Sequence, residues 1–398
     1  MKLVAITRVK NEVDIIEAFV RHHCEHFNKL IVLDDGSSDG TYEVVRSLQA
    51  AGAPVVLLRE PAVGYEQSRY MTLLLRMAVD QFGADWVAPL DADEFIEPQG
   101  ELTLGEALAG REPALLAVQW SNFVWSPDDD KSPERNPVMR LRGRLPPLPP
   151  AAQLNKLLVP AGLVDAGTRL SQGNHHLVRN GEVLPTRALD AIALCHFPVR
   201  SVAQYASKVA VGYLQYSAMA DWDRQVGRQY VEPFRALVTG GLPELERRMS
   251  ADSRNYSSLD GARDGNGIEP RDAPLRYRGG PITLTRSREV FLPNVLHCAE
   301  AIAKALAESA SRRQHAVAVE RPDRIAEDNP VLQMRLSQLE LELLAARRTI
   351  SLQSARLSSR TFRLIDRLHG RLAKTGLRPR AIADWLFWLL SITAGRRP

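Results

Sequence analysis

Short apolar runs alternate with longer amphipathic stretches through the first hundred residues. Leu3–Ile6 predicts a β-strand. Val13, Ile16, Phe19, Val20 and Phe27 then recur at helical spacing and predict a helix of about three turns with one apolar face on a sheet. The alternation continues with a strand over Leu30–Leu33 and a helix from about Thr41 to Ala51, stopped near Gly52 and Pro54. A third strand over Val55–Leu58, a helix near Arg69–Phe82 and a fourth strand over Trp86–Leu90 follow. The order β-α-β-α-β-α-β predicts right-handed crossovers and an α/β fold, a doubly wound, mostly parallel twisted sheet with helices on both faces.

The pattern loosens afterwards. Residues 126–150 hold seven prolines and predict an irregular flap. Leu157–Val159, His175–Val178 and Ala191–Cys195 read as strands of a mixed extension, with a hairpin turn at Arg179-Asn180-Gly181-Glu182. Ser201–Ala220 and His297–Ser309 read as helices, and the Gly-, Asp-, Arg- and Ser-rich stretch from about Asp252 to Pro281 as a loop, partly disordered. Leu336, Leu339, Leu343, Ala346, Ile350, Gln353 and Leu357 step by three and four, a heptad seam that predicts a short coiled coil. Because Gln353 interrupts the seam, a helix packed on its own domain is the other reading.

The composition is globular, with 398 residues, 45% apolar and 25% charged. The formal charge of +4 hides an asymmetry: Leu343 to the end carries +10, which leaves −6 on the residues before it. Near the end, Ile382, Trp385, Leu386, Phe387, Trp388, Leu389, Leu390 and Ile392 follow a run of arginines and Lys374. That pattern describes an interfacial helix on an anionic membrane, each charge contributing about 1 kcal/mol near the surface. A helix docked on the main domain is the alternative; nucleic acid ranks below both for want of a recognition module. No apolar run is long enough to span a bilayer, and the apolar start is too short for a secretory signal. Three scattered cysteines, Cys24, Cys195 and Cys298, fit inert thiols in a reducing cytoplasm.

In an open parallel sheet, ligands bind beyond the carboxyl ends of the strands. Those ends carry Arg8, Asn11 and Glu12 after the first strand, Asp34-Asp35-Gly36-Ser37-Ser38-Asp39-Gly40-Thr41 after the second, and Asp91-Ala92-Asp93-Glu94 after the fourth. A dinucleotide fingerprint, a P-loop and a G-x-S-x-G elbow are all missing, which removes dehydrogenases, P-loop kinases and common hydrolases. Asp91 and Asp93, one residue apart, would share a face at strand spacing and offer hard oxygen ligands for Mn²⁺ or Mg²⁺; an acidic helix cap is the alternative. A cation there would neutralise a departing diphosphate. Asp34 and Asp35 could accept hydrogen bonds from a base or a ribose, while Asp39 suits a helix cap. Arg140, Arg142 and Arg144 alternate and, with Lys156, could attract an anion from one strand face; a solvated edge is the other reading.

Thr7-Arg8-Val9-Lys10-Asn11-Glu12, the Asp34–Thr41 loop and Asp91-Ala92-Asp93-Glu94-Phe95 together resemble the family 2 glycosyltransferases, in particular the branch with an R-x-K-N-E opening and a D-A-D-E-F metal motif. Gly173-Asn174-His175 and His196-Phe197-Pro198-Val199-Arg200-Ser201, followed by Gln204 and Lys208, extend the resemblance. It implies a GT-A fold over 1–240, a nucleotide-sugar donor and a divalent metal. By the same resemblance Asp34 or Asp35 would meet the nucleoside and Asp93 the metal. Arg8, Asn11, Glu12 and Asp91 are the further donor candidates, and Asp91 and His196 the further metal candidates; a buried histidine bonded to backbone is the other reading of His196 and of His175. Such enzymes usually carry their catalytic base in a later E-D pair, yet the E-D here is Glu327-Asp328, beyond that domain. Glu94 and His175 are therefore the candidates for the base of an inverting displacement. The remaining divisions are an irregular and helical extension, partly disordered, over 241–330, a coiled coil over 331–360 that would allow a homo-oligomer, and the basic amphipathic tail over 361–398.

The expected protein is a cytoplasmic enzyme, peripheral at the inner face of the plasma membrane, that glycosylates a cell-surface glycan or lipid-linked acceptor. A sugar-nucleotide nucleotidyltransferase and a membrane-attached coiled-coil scaffold with a degenerate domain are the alternatives.

Overall fold

A computed structural model describes residues 1–61, 64–148, 154–219, 227–256, 269–285 and 291–319. The chain divides into two compact units, Met1–Ile302 and Ala303–Pro398. In the first unit, β1 (Leu3–Val9), β2 (Lys29–Asp34), β3 (Val55–Arg59) and β4 (Trp86–Pro89) pair in parallel in the order β3-β2-β1-β4, joined through α1 (Ile16–Cys24), α2 (Thr41–Ala50) and α3 (Gln67–Asp80). Strand side chains alternate between faces, and here both faces are buried. Val4, Ile6, Ile31, Leu33 and Val87 pack on Tyr70, Met71, Leu74, Leu75 and Ala78 of α3. Ala5, Leu30 and Val32, which alternate with them, are also buried, on the side of α1 and α2. The helical stripe begins at Val13, but α1 starts at Ile16, because the amides of Ile15 and Ile16 turn back onto the Glu12 carbonyl.

The second half adds β5 (Glu94–Pro98), α4 (Leu104–Leu108), β6 (Leu116–Asn122), α5 (Pro127–Lys131), α6 (Pro137–Arg140), β7 (Gly143–Arg144), β8 (Asn155–Pro160), β9 (Thr168–Leu170), β10 (Leu177–Arg179), β11 (Glu182–Val183), β12 (Arg187–Ala188) and β13 (Ile192–His196). Then come α7 (Val202–Ser217), α8 (Arg228–Asn255), β14 (Arg271–Asp272) and α9 (Leu292–Val319). The main sheet continues β4-β8-β6-β13-β5, with β12 beside β6. Strand β8 runs antiparallel to β4 and β6, whereas β13 is parallel to β6 and antiparallel to β5. This is the expected α/β architecture with its mixed extension.

The expected hairpin is present. Arg179 of β10 pairs with Glu182 of β11, and Asn180 and Gly181 both take positive φ, as a tight two-residue turn requires. The proline-rich stretch departs from the expected flap. Pro127 and Pro137 each sit at the start of a single-turn helix, where a missing N–H costs nothing, and Asn136 caps the second by accepting from Val138 N–H. The three alternating arginines do not share a strand face. Arg140 is buried and donates to the Arg200 carbonyl, Arg142 pairs with Asp272, and Arg144 pairs with Glu97 at 2.5 Å. Residues Asp252–Asn255, expected in a loop, complete α8.

Among the described residues no helix is long and apolar enough to cross a membrane. Cys195 and Cys298 are buried and Cys24 partly so; burial pushes the thiols of Cys24 and Cys298 up to about 11. The heptad seam and the basic tail lie outside the described residues.

Candidate functional site

The carboxyl ends of β1, β2 and β4, the turn into β5, the end of β13, and helices α7 and α8 enclose a cleft of about 900 Å³. Arg8, Asn11, Glu12, Asp35, Asp91, Asp93, Glu94, His175 and His196 all line it. Asp34 does not: its carboxylate folds back onto the amides of Gly36 and Ser37, both at 3.1 Å, and onto Arg59.

At the β1–β2 rim, Asp35 accepts from Arg8 at 2.6 Å and from Gln215 at 3.2 Å, and Lys10 donates to its backbone carbonyl at 2.7 Å. The two loops are locked together. Asn11, at φ 58°, accepts from Ser38 N–H, and its own N–H donates to Ser37 Oγ. Asp39 accepts from Thr41 N–H at the start of α2, as a cap would, and from Val13 N–H on the other loop.

Asp91 and Asp93 lie in a turn rather than in the strand, so strand alternation does not aim them. Asp91 accepts from Lys156 Nζ at 2.6 Å and from Gln67 at 2.9 Å. Asp93 accepts from Lys208 Nζ at 2.6 Å. Glu94 is sealed from solvent and accepts from Trp120 Nε1 and from the Asp91 amide, at 2.8 and 2.9 Å. Burial raises its carboxyl to about 8 against the pull of Lys156, so it carries its proton near neutrality. For Asp93, burial also disfavours the charge, but Lys208, His196 and Arg200 outweigh it and hold the group far below the usual carboxylate range.

Arg200 is fully buried at the head of α7 and pairs with Asp14 and Glu12. Glu12 is raised to about 7, chiefly by burial. His196 stacks on Trp120, and its Nδ1 lies 3.0 Å from Asn122 Oδ1. The Asn122 amide nitrogen donates to the Tyr256 carbonyl, which fixes Oδ1 as an acceptor and puts the imidazole proton on Nδ1. The lone pair of Nε2 therefore faces Asp93 Oδ1, 3.8 Å away. Burial lowers this imidazole to about 3 and keeps it neutral.

Among the described residues no group of three or more His, Cys, Asp or Glu could hold a metal ion. Asp93 and His196 nevertheless fit one as a pair. An oxygen and a nitrogen lone pair face each other, and Mg²⁺ or Mn²⁺ commonly takes few protein ligands and completes its shell with substrate phosphate and water. Asp91 is tied to Lys156 and Gln67 at the other end of the turn.

His175 follows a strained turn in which Gly173 and Asn174 take φ 76° and 60°. Its Nδ1 lies 3.1 Å from the Asn155 carbonyl, which can only accept, so Nδ1 carries the proton and Nε2 a lone pair. Gln67 joins this turn to the acidic one by accepting from Gly173 N–H at 2.9 Å while its amide donates to Asp91.

Gln67 and the structural reach of Arg200 escaped the sequence reading, and Lys208 entered it only through the resemblance. The signal for the last was its i, i+4 spacing from Gln204 on a helix that follows His196 closely.

Residues 5–154 match the family described as glycosyl transferase family 2. The lipopolysaccharide core biosynthesis glycosyltransferase LpsC of Rhizobium meliloti is 31% identical over 101 residues, which is 25% of this chain and 32% of that protein, so the match spans about a third of the relative's length. Among solved structures, S. aureus TarS 1–349 in complex with UDP is similar at 14% identity and a TM-score of 0.34, over 60% of this chain and 71% of that one. The mannosyltransferase PcManGT of Pyrobaculum calidifontis, in complex with GDP-Man and Mn²⁺, is similar at 16% identity and a TM-score of 0.33, over 65% and 76%. Residues 5–154 are thus where this chain is similar to the family 2 glycosyltransferases.

Proposed function

We propose that this protein transfers a sugar from a nucleoside diphosphate sugar to a hydroxyl of a cell-surface glycan or lipid-linked acceptor, with Mn²⁺ or Mg²⁺ bound. The carrying observation is that Asp35, Asp91, Asp93 and His196, from three separate chain segments, line one cleft at the carboxyl edge of the sheet. Asp35, oriented by Arg8 and Lys10, meets the nucleoside. Asp91 faces the donor from the far end of the acidic turn. Asp93 and His196 hold the ion, which when bound supplies positive charge beside the departing diphosphate.

In an inverting displacement the acceptor oxygen bonds to the anomeric carbon as the bond from that carbon to the diphosphate oxygen breaks. The hydroxyl proton passes to His175 Nε2. Burial lowers this imidazole to about 3, and the anionic donor entering the cleft raises its basicity. Glu94 has both oxygens committed, so it acts as a positioning residue for Asp91 and Trp120. The composition of residues 361–398 supports attachment to an anionic membrane surface; equal recovery of the full chain and a chain lacking them in liposome flotation would remove that part.

The test is a panel of nucleoside diphosphate sugars offered to the purified full chain. Donor cleavage should need Mn²⁺ or Mg²⁺, release nucleoside diphosphate and collapse in Asp93→Ala. Full turnover in EDTA refutes the metal assignment, and pyrophosphate as product would indicate nucleotidyl transfer instead.

A further inference from the structure

We infer that Lys208 is a ligand of the donor diphosphate in its own right, so that part of the protein's hold on that group is independent of any metal ion. The inference rests on the donor reading above and adds a residue to it.

Lys208 projects from α7 into the cleft, with Nζ 2.6 Å from Asp93 Oδ2 and 3.2 Å from the Pro198 carbonyl, over the ring of Tyr256. Other cations near this turn are differently placed. Arg200 is sealed and grips Asp14 and Glu12, and Lys156 is 1% exposed beneath Asp91 and Glu94. Arg8 and Lys10 belong to Asp35 at the other rim. Lys208, 15% exposed, is the ammonium that meets Asp93 from the cleft side.

Charge balance supplies the rest of the argument. Asp93 offers one negative charge and Lys208 already neutralises it. A divalent ion seated between Asp93 and His196 would leave the ion and the ammonium together in excess by about two charges, in a place with little water to screen them. An anion must enter with the ion, and a diphosphate has the charge and the several acceptor oxygens to meet both cations. The flexible stem of a lysine lets Nζ turn from Asp93 to a phosphate oxygen without movement of the backbone.

The probe is inorganic pyrophosphate, titrated calorimetrically in EDTA into the full chain. The wild type should bind it, Lys208→Met should weaken binding about tenfold or more, and Lys208→Arg should retain most of it. Thermal melts establish that each variant is folded. Equal affinity in the wild type and a folded Lys208→Met, or no binding by the wild type, overturns the inference. If Lys208→Met does not fold, wild-type protein decides: pyrophosphate should protect Lys208 from acylation, mapped by mass spectrometry, and unchanged labelling overturns the inference. The donor reading fails separately, if no nucleoside diphosphate binds and no sugar is transferred with Mn²⁺ present.

Discussion

Arg200, itself out of contact with solvent, holds Asp14 with two guanidinium nitrogens, at 2.6 and 2.9 Å, across a long stretch of sequence. The same guanidinium reaches Glu12 at 2.5 Å and stands 3.9 Å from Asp93, so one buried cation ties the loop after β1 to the acidic turn and to α7. Removing it strands Asp93, which is buried, and Glu12 and Asp14, which are partly so. Arg200→Met should cost about 3–5 kcal/mol in denaturant unfolding, and Arg200→Lys should recover only part, because an ammonium cannot form the fork. A loss below about 1 kcal/mol would mean that solvent screens these carboxylates well enough without the guanidinium.

Asn122 orients His196 by accepting its Nδ1 proton. Asn122→Leu should therefore raise the Mn²⁺ concentration needed for half-maximal donor cleavage by about 10–100-fold. His196→Ala should do at least as much. Metal titrations of activity, paired with direct Mn²⁺ binding followed by electron paramagnetic resonance, check both.

Gly173 has φ 76°, and a Cβ there would meet His175 Nε2 at 2.3 Å. Gly173→Ala should displace the imidazole and lower kcat by on the order of a hundredfold, with KM for the donor little changed. His175→Ala should give a similar loss, and the double variant little more than either alone, because both act on one group.

The histidines of α1 and the turn after it make the fold acid-sensitive. His22 accepts from Arg278 N–H and faces the Ile96 carbonyl, and His23 and His26 crowd beside it. Burial lowers His22 to about 4, His26 to about 3 and His23 well below its ordinary value. The unfolded chain therefore binds more protons than the folded one from about pH 6.5 downward, so stability present above that pH falls as acid is added, until the folded-state values are reached. Melting temperature measured from pH 8 to pH 4 should drop below pH 6.5, and His26→Phe should make the drop shallower.

The parallel half was legible because apolar period and turn residues agree there: the strands predicted at Leu3, Leu30, Val55 and Trp86 are β1 to β4. Strand β5 was not legible. Its Glu94 and Glu97 are buried with partners, Trp120 for one and Arg144 for the other, and a sequence shows polarity without showing the partner. Helix α8 carries Pro233, Pro243 and a non-helical Gly241, which break the apolar period that would have announced it. In the cleft, Asp35, Asp91 and Asp93 stood out as acidic residues at strand ends, and His196 entered through the resemblance. The contacts of Lys208 and Arg200 were not legible, because a basic residue on a helix or just before one reads as solvated until the fold shows what it touches.

His196 sits directly opposite Glu94 in the β13–β5 ladder, and the next amide, Phe197 N–H, closes on the Asp93 carbonyl. The acidic turn and the late histidine are thus cogs of one gear: backbone register sets them, and it brings His196 Nε2 to 3.8 Å from Asp93 Oδ1. An engineer grafting donor preference from a relative must exchange 91–98 and 192–200 as a matched set, since importing either alone would shift one tooth against the other.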